Sequence, residues 1–194
     1  MALAPQLEAR IGRSLEAVCR WLAFGGGLIL VAAAAITVAS IIGRALLSFG
    51  LGPIKGDFEL VEAGCAIAIF AFLPWCQLKR GHVTVDIVVD RMPARAKAAL
   101  GLIGDMTVAV VSGLILWRIY LGFGEKFPYF SESLRGALGM GSKPFFPETT
   151  YELEMPVWIP YGLATIGATL FFVVSLYTVW RALNWVLAGH EVRP

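Results

Sequence analysis

Apolar residues fill four stretches of the chain, Trp21 to Gly43, Phe58 to Leu78, Ala98 to Tyr120 and Pro156 to Trp180, and polar residues gather between them. The second stretch at helical rise covers about 31 Å, close to the roughly 30 Å hydrocarbon core of a bilayer. Each stretch is therefore expected to be a transmembrane helix. Ahead of the first, Leu7, Ile11, Leu15, Val18 and Leu22 recur at helical spacing, with Arg10, Arg13, Glu16 and Arg20 on the other positions. This pattern predicts an amphipathic surface helix over residues 6–20, lying in the headgroup plane. Simple extension of the first span is the alternative. The first span is too long for the apolar core of a secretory signal, lacks a cleavage region, and is expected to stay. Residues 121–155 form a long connection carrying Phe127, Pro128, Tyr129, Phe130, Phe145, Phe146 and Pro147. Loops of that length are seldom structureless unless functional, so it is expected to rest on the membrane or on a partner. The whole, residues 1–194, reads as a single all-α membrane domain and a compact four-helix element.

Composition sharpens this into a class. Hydrophobic residues make up 58% of the chain and charged ones 15%, a balance that excludes an ordinary soluble domain. A net charge of +2 without a basic run gives no footing for nucleic acid. Cys19, Cys65 and Cys76 form no CxxC pair, and the last two fall inside a span, where packing is the expected role. His82 and His190 both lie outside the spans, so no pair of histidines can ligate a haem in the bilayer. The N-terminal segment, the 79–97 connection and the C-terminal end hold ten of the 16 Lys and Arg. The positive-inside rule then places both termini in the cytoplasm and the 121–155 loop on the periplasmic side.

Candidate chemistry concentrates at helix ends. Asp57 is expected to cap the second span, with Glu59 and Glu62 in its first two turns, where carboxylates are favoured. Arg44 closes the first span and needs a partner; Glu62 or Glu59 is the candidate, and Glu62 the expected one. Lys79 and Arg80 reach interfacial water at the far end, and Gly81 lets the chain turn. Pro74 is expected to kink the second span. His82 could shuttle a proton, though an interfacial histidine more often hydrogen-bonds nearby backbone or a carboxylate. Asp86 and Asp90 fall one turn apart in a surface turn leading into helix. Small faces at Gly25, Gly26, Gly27 and Ala32–Ala35 invite close helix packing, and Gly101, Asp105, Ala109 and Gly113, four apart, form a seam on the third span. A carboxylate at membrane depth must face protein or water. Asp105 is therefore expected to be a hydrogen-bonded interface residue, the alternative being a ligand for a coupling ion or proton. Trp158 and Tyr161 mark one membrane interface, Trp180 and Trp185 the other.

One combination is more specific. Arg44 closing the first span, Glu59 and Glu62 opening the second, and Lys79-Arg80-Gly81-His82-Val83 followed by Val85 and Asp86 resemble the small membrane subunit of tripartite ATP-independent periplasmic (TRAP) transporters. The motif match runs from about Trp21 to Pro93, and the rest fits by its pattern of spans. The resemblance implies partnership with a large membrane subunit that carries substrate and sodium ions by an elevator-like motion. It also implies a periplasmic substrate-binding protein that delivers an organic acid, and residence in the bacterial inner membrane as a scaffold. Any sodium site is expected in the partner subunit, and no cofactor in this chain.

The residues themselves agree with a supporting role. No internal repeat is visible, and no polar groups converge near the midplane of a span, as a carrier's own site requires. There is no nucleophile with a neighbouring base and no phosphate-cradling loop, so an enzyme is not expected. Two alternatives stand beside the scaffold reading: a self-sufficient proton-coupled transporter using Glu59 or Glu62, and a membrane anchor for an enzyme complex.

Overall fold

The computed structural model describes residues 5–81 and 93–188. His82, Val83, Val85, Asp86, Asp90 and His190 lie outside them. The described chain is helical almost throughout: α1 (Pro5–Ala45), a short 3-10 turn (Leu47–Phe49), α2 (Asp57–Leu78), α3 (Ala94–Lys126), α4 (Glu132–Leu138) and α5 (Trp158–Ala188). Four of these helices, all but α4, are long and apolar enough to cross a membrane.

The lead-in and the first span are one helix, not two. Nothing between Gln6 and Trp21 breaks a helix, since Pro5 sits at its very start, where the missing N–H is harmless. At 41 residues α1 is about 61 Å long, twice the hydrocarbon thickness. One stripe of its first half packs against α2 and α5, while Leu7, Val18, Trp21 and Phe24 stay exposed. Cys19 is fully buried with Leu78, Val174 and Tyr177, flanked by Ile11 and Leu15, and Gly12 lies against the Tyr177 hydroxyl. The separate surface helix expected over residues 6–20 is therefore replaced by a continuation of the span, held by the end of α5.

The third and fourth spans also overrun their expected limits of 98–120 and 156–180. Glu125 and Lys126 are good helix formers at the end of α3, six residues past the expected limit, and Arg181 and Asn184 are tolerated in α5 because both are buried against protein. Pro74 is buried within α2, which continues to Leu78.

The four long helices form a row rather than a closed bundle. α1 packs on α2, α2 on α5 and α5 on α3, with a light contact between α1 and α5. Glycines set the close approaches: a Cβ on Gly26 of α1 would lie 2.9 Å from the Ala71 Cβ of α2, and one on Gly113 of α3 would lie 3.1 Å from the Phe172 ring of α5. Gly25 and Gly27 meet nothing, so one member of that triplet makes the contact. In the most apolar stretch of α5, 44% of residues are buried, against 11% in α1 and in α3. The edges of the row therefore turn their apolar faces outward, and the compact element expected from the sequence is an open one. No closed bundle forms because the small residues of α1 and α3 face different neighbours and never each other.

Candidate functional site

Polar side chains organise both ends of the row. At the loop end, α2 starts from Gly56, whose positive φ of 70° would strain most residues, and whose N–H donates to the Glu152 carboxylate. Asp57, expected as the cap, is instead the first helical residue. Its carboxylate accepts from the Phe58 N–H at 2.8 Å, from the Ser40 hydroxyl and from Arg44 Nη2 at 3.2 Å. Arg44 thus pairs with Asp57 and not with Glu62. The reason is register: Asp57, the first residue of α2, stands level with the last turns of α1, and Glu62 lies further along α2. Glu59 faces the loop, accepting the N–H groups of Glu152 at 2.7 Å and Leu153 at 3.1 Å. Glu62 is exposed and lines a cavity of about 520 Å³ beside α5, together with Glu59 and apolar residues of α2, α3 and α5.

The 121–155 connection is built around a residue the sequence did not single out. Arg135, on α4, is fully buried. Its guanidinium donates to six carbonyls: Nε to Gly141 at 3.1 Å, Nη1 to Phe127 at 2.6 Å and Tyr129 at 3.3 Å, and Nη2 to Gly124 at 2.6 Å, Met140 at 3.2 Å and Ser142 at 2.9 Å. Carbonyl dipoles take the place of a carboxylate, and the forked geometry of arginine is what reaches both sides of the loop. Gly139 and Gly141, with φ of 66° and 71°, supply the turns that bring those carbonyls inward. That glycine cluster around a lone arginine was the available signal. Tyr120 OH donates to the Leu138 carbonyl at 2.7 Å and Lys126 pairs with Glu148, tying the loop to the end of α3. Phe127 stacks edge-on against Trp158, with centroids 5.3 Å apart. Phe145 and Phe146 remain exposed.

At the opposite end, α2 closes with a Schellman motif. The Gly81 N–H donates to the Cys76 carbonyl at 2.8 Å and the Arg80 N–H to that of Gln77 at 3.2 Å. The left-handed position falls on Arg80, with φ 51°, and not on Gly81 as the turn chemistry suggested. This conformation costs a non-glycine residue about 1 kcal/mol or more. It is offset by what the side chain then reaches: Arg80 Nη2 lies 2.8 Å from Asp105 Oδ2, and its guanidinium sits 4.6 Å from the Trp185 ring centroid. Gln77 Nε2 donates to Asp105 Oδ1 at 3.1 Å and to Thr178 Oγ1 at 2.9 Å, linking α2, α3 and α5.

Asp105 is thus a paired interface residue. Gly101 leaves room for the Arg80 guanidinium, Ala109 is buried, and Gly113 meets Phe172, so the seam faces protein along its length. Arg181 adds a bond to the Leu78 carbonyl at 3.1 Å and stacks 5.1 Å from Trp185. Asn184 donates to Glu8, and Lys79 pairs with Glu16 at 2.8 Å, which binds the start of α1 to both neighbours. Among the described residues, no group of three His, Cys, Asp or Glu is placed to hold a metal ion.

Comparison with protein families matches the chain, over residues 33–184, to the model described as tripartite ATP-independent periplasmic transporters, DctQ component. Neither the curated proteins nor the solved structures give a match.

Proposed function

We propose, from the premise that this chain belongs to the DctQ component family of tripartite ATP-independent periplasmic transporters, that it is the fixed scaffold on which the large subunit of such a transporter moves. As a member of that family the chain is the small permease subunit, a transporter component and not an enzyme, and it works with a large membrane subunit and a binding protein. In the proposed reading the large subunit carries an organic acid with sodium ions, and a periplasmic binding protein delivers it. The chain sits in the bacterial inner membrane with both termini cytoplasmic and the Arg135 loop outside.

The observation that carries the scaffold role is how the interior is used. Each buried polar side chain among the described residues, from Ser40 to Asn184, hydrogen-bonds to this chain itself. Coupled transport needs groups that exchange partners with a solute. Here Ser112 and Ser175 bond within their own helices, Ser40, Gln77, Asp105, Arg181 and Asn184 tie helix ends to one another, and the outward apolar faces of α1 and α3 offer a surface to brace. Reconstitution tests this. Vesicles containing the chain alone are expected to show no sodium-dependent uptake of organic acids, and vesicles containing it with the large subunit and the loaded binding protein are expected to show it. Uptake by the chain alone overturns the reading.

A further inference from the structure

The row of helices leaves a furrow over α5, between α2 and α3. Tyr161 and Ala164 of α5 form its floor, Ala66 and Phe70 of α2 one wall and Ile119 of α3 the other, and Met155 of the loop closes its outer end. Its volume of about 520 Å³ falls within the roughly 300–1,000 Å³ typical of small-molecule sites. We propose that this furrow binds one acyl chain of an amine-headed phospholipid from the leaflet on the loop side, with Glu62 receiving the ammonium group.

The lining selects the chain. Small alanines and aromatic faces in a membrane-spanning region leave hydrocarbon as the natural filling. A helix with its side chains is about 10–12 Å across, so this volume would take in only about one turn of it. The mouth selects the headgroup. Glu59 is occupied by the N–H groups of Glu152 and Leu153, while Glu62, one turn on, is exposed beside the apolar lining. A carboxylate bordering an apolar lining is best satisfied by a cation that arrives with the ligand. On the other side of the mouth, Lys126 lies 5.5 Å from the centroid of the Tyr161 ring that lines the furrow, held there by Glu148. With Lys126 already paired to Glu148, the two carboxylates Glu59 and Glu62 leave the mouth net negative, which favours a headgroup bearing an ammonium over a net anionic one.

The inference rests on the membrane placement of the chain and not on the scaffold reading, so lipid retention and transport can fail separately. The full chain, purified with its large membrane subunit, is placed in nanodiscs of palmitoyl-oleoyl phosphatidylethanolamine and phosphatidylglycerol in equal parts, and retained lipid is read by native mass spectrometry. One phosphatidylethanolamine per chain is expected to survive ejection. Ala66→Trp, at an exposed position that does not threaten the fold, is expected to abolish retention, and Glu62→Gln to reduce the preference over phosphatidylglycerol by roughly tenfold. A photocrosslinking side chain at Ile119 is expected to capture lipid. Capture of a segment of the large subunit there, or retention unchanged in Ala66→Trp, overturns the proposal.

Discussion

Two arginines show what a single residue decides here. Arg135 replaces the water that would otherwise satisfy six carbonyls of the outer loop. Arg135→Met removes the donor from all six and leaves the buried carbonyls of Gly124 and Met140 unpaired, and is expected to cost about 3 kcal/mol, read as thermal stability in detergent and as new protease cleavage between Phe127 and Pro147. Arg135→Lys keeps the charge but offers three donors from one point, so it is expected to recover only part of the loss. Arg80 poses a different question, because its backbone and its side chain pull in opposite directions. Both Arg80→Ala and Arg80→Gly lose the pair with Asp105, but glycine adopts the left-handed turn freely. The glycine variant is therefore expected to be the more stable of the two by about 1 kcal/mol in denaturant unfolding, and equal stabilities would show that the turn is not strained.

At the scale of the helix, glycine has opposite meanings at positions the sequence pattern cannot tell apart. A Cβ at Gly167 of α5 would lie 2.5 Å from the Phe70 carbonyl oxygen of α2, whereas one at Gly27 of α1 meets nothing. Gly167→Ala must push two backbones apart and is expected to cost roughly 1–3 kcal/mol. Gly27→Ala adds helix propensity at an open position and is expected to stabilise by up to about 1 kcal/mol. Melting temperatures of the two variants in one detergent check both signs. The same scale explains the lead-in helix. Its heptad-like apolar positions suit a lipid surface and a protein neighbour equally well, and only the partners of Cys19, Gly12 and Glu8 show that α5 is the neighbour.

Across the whole molecule, the polar ties separate into two sets, one at each end of the row, and apolar contacts connect them. The surplus of Lys and Arg at the α1 start and α2 exit is the basis of the proposed orientation in the bilayer. With Cys19, Cys65 and Cys76 replaced, a single cysteine at the exposed Phe145 is expected to react in intact cells with a membrane-impermeant maleimide added from the periplasmic side, and one at Arg13 only after lysis. The reverse pattern would invert the orientation and, with it, the leaflet assigned to the furrow.

Four apolar stretches, a carboxylate-rich opening and a basic exit were legible without coordinates, because the bilayer sets span length and helix ends favour charges of fixed sign. Those rules depend on composition along the chain alone. The likeness to the TRAP small subunit was carried by the same local residues. Which ends meet was not legible: Arg44 has three carboxylates within a short stretch of sequence, and the choice of Asp57 depends on the relative height of α1 and α2. The burial of Arg135, the left-handed Arg80 and the furrow over α5 likewise depend on residues far apart in sequence arriving together. Local chemistry therefore determined the number of spans and the charges at their ends, while the open row and the furrow beside Glu62 came only with the tertiary structure, since they are set by which small residues let two backbones approach.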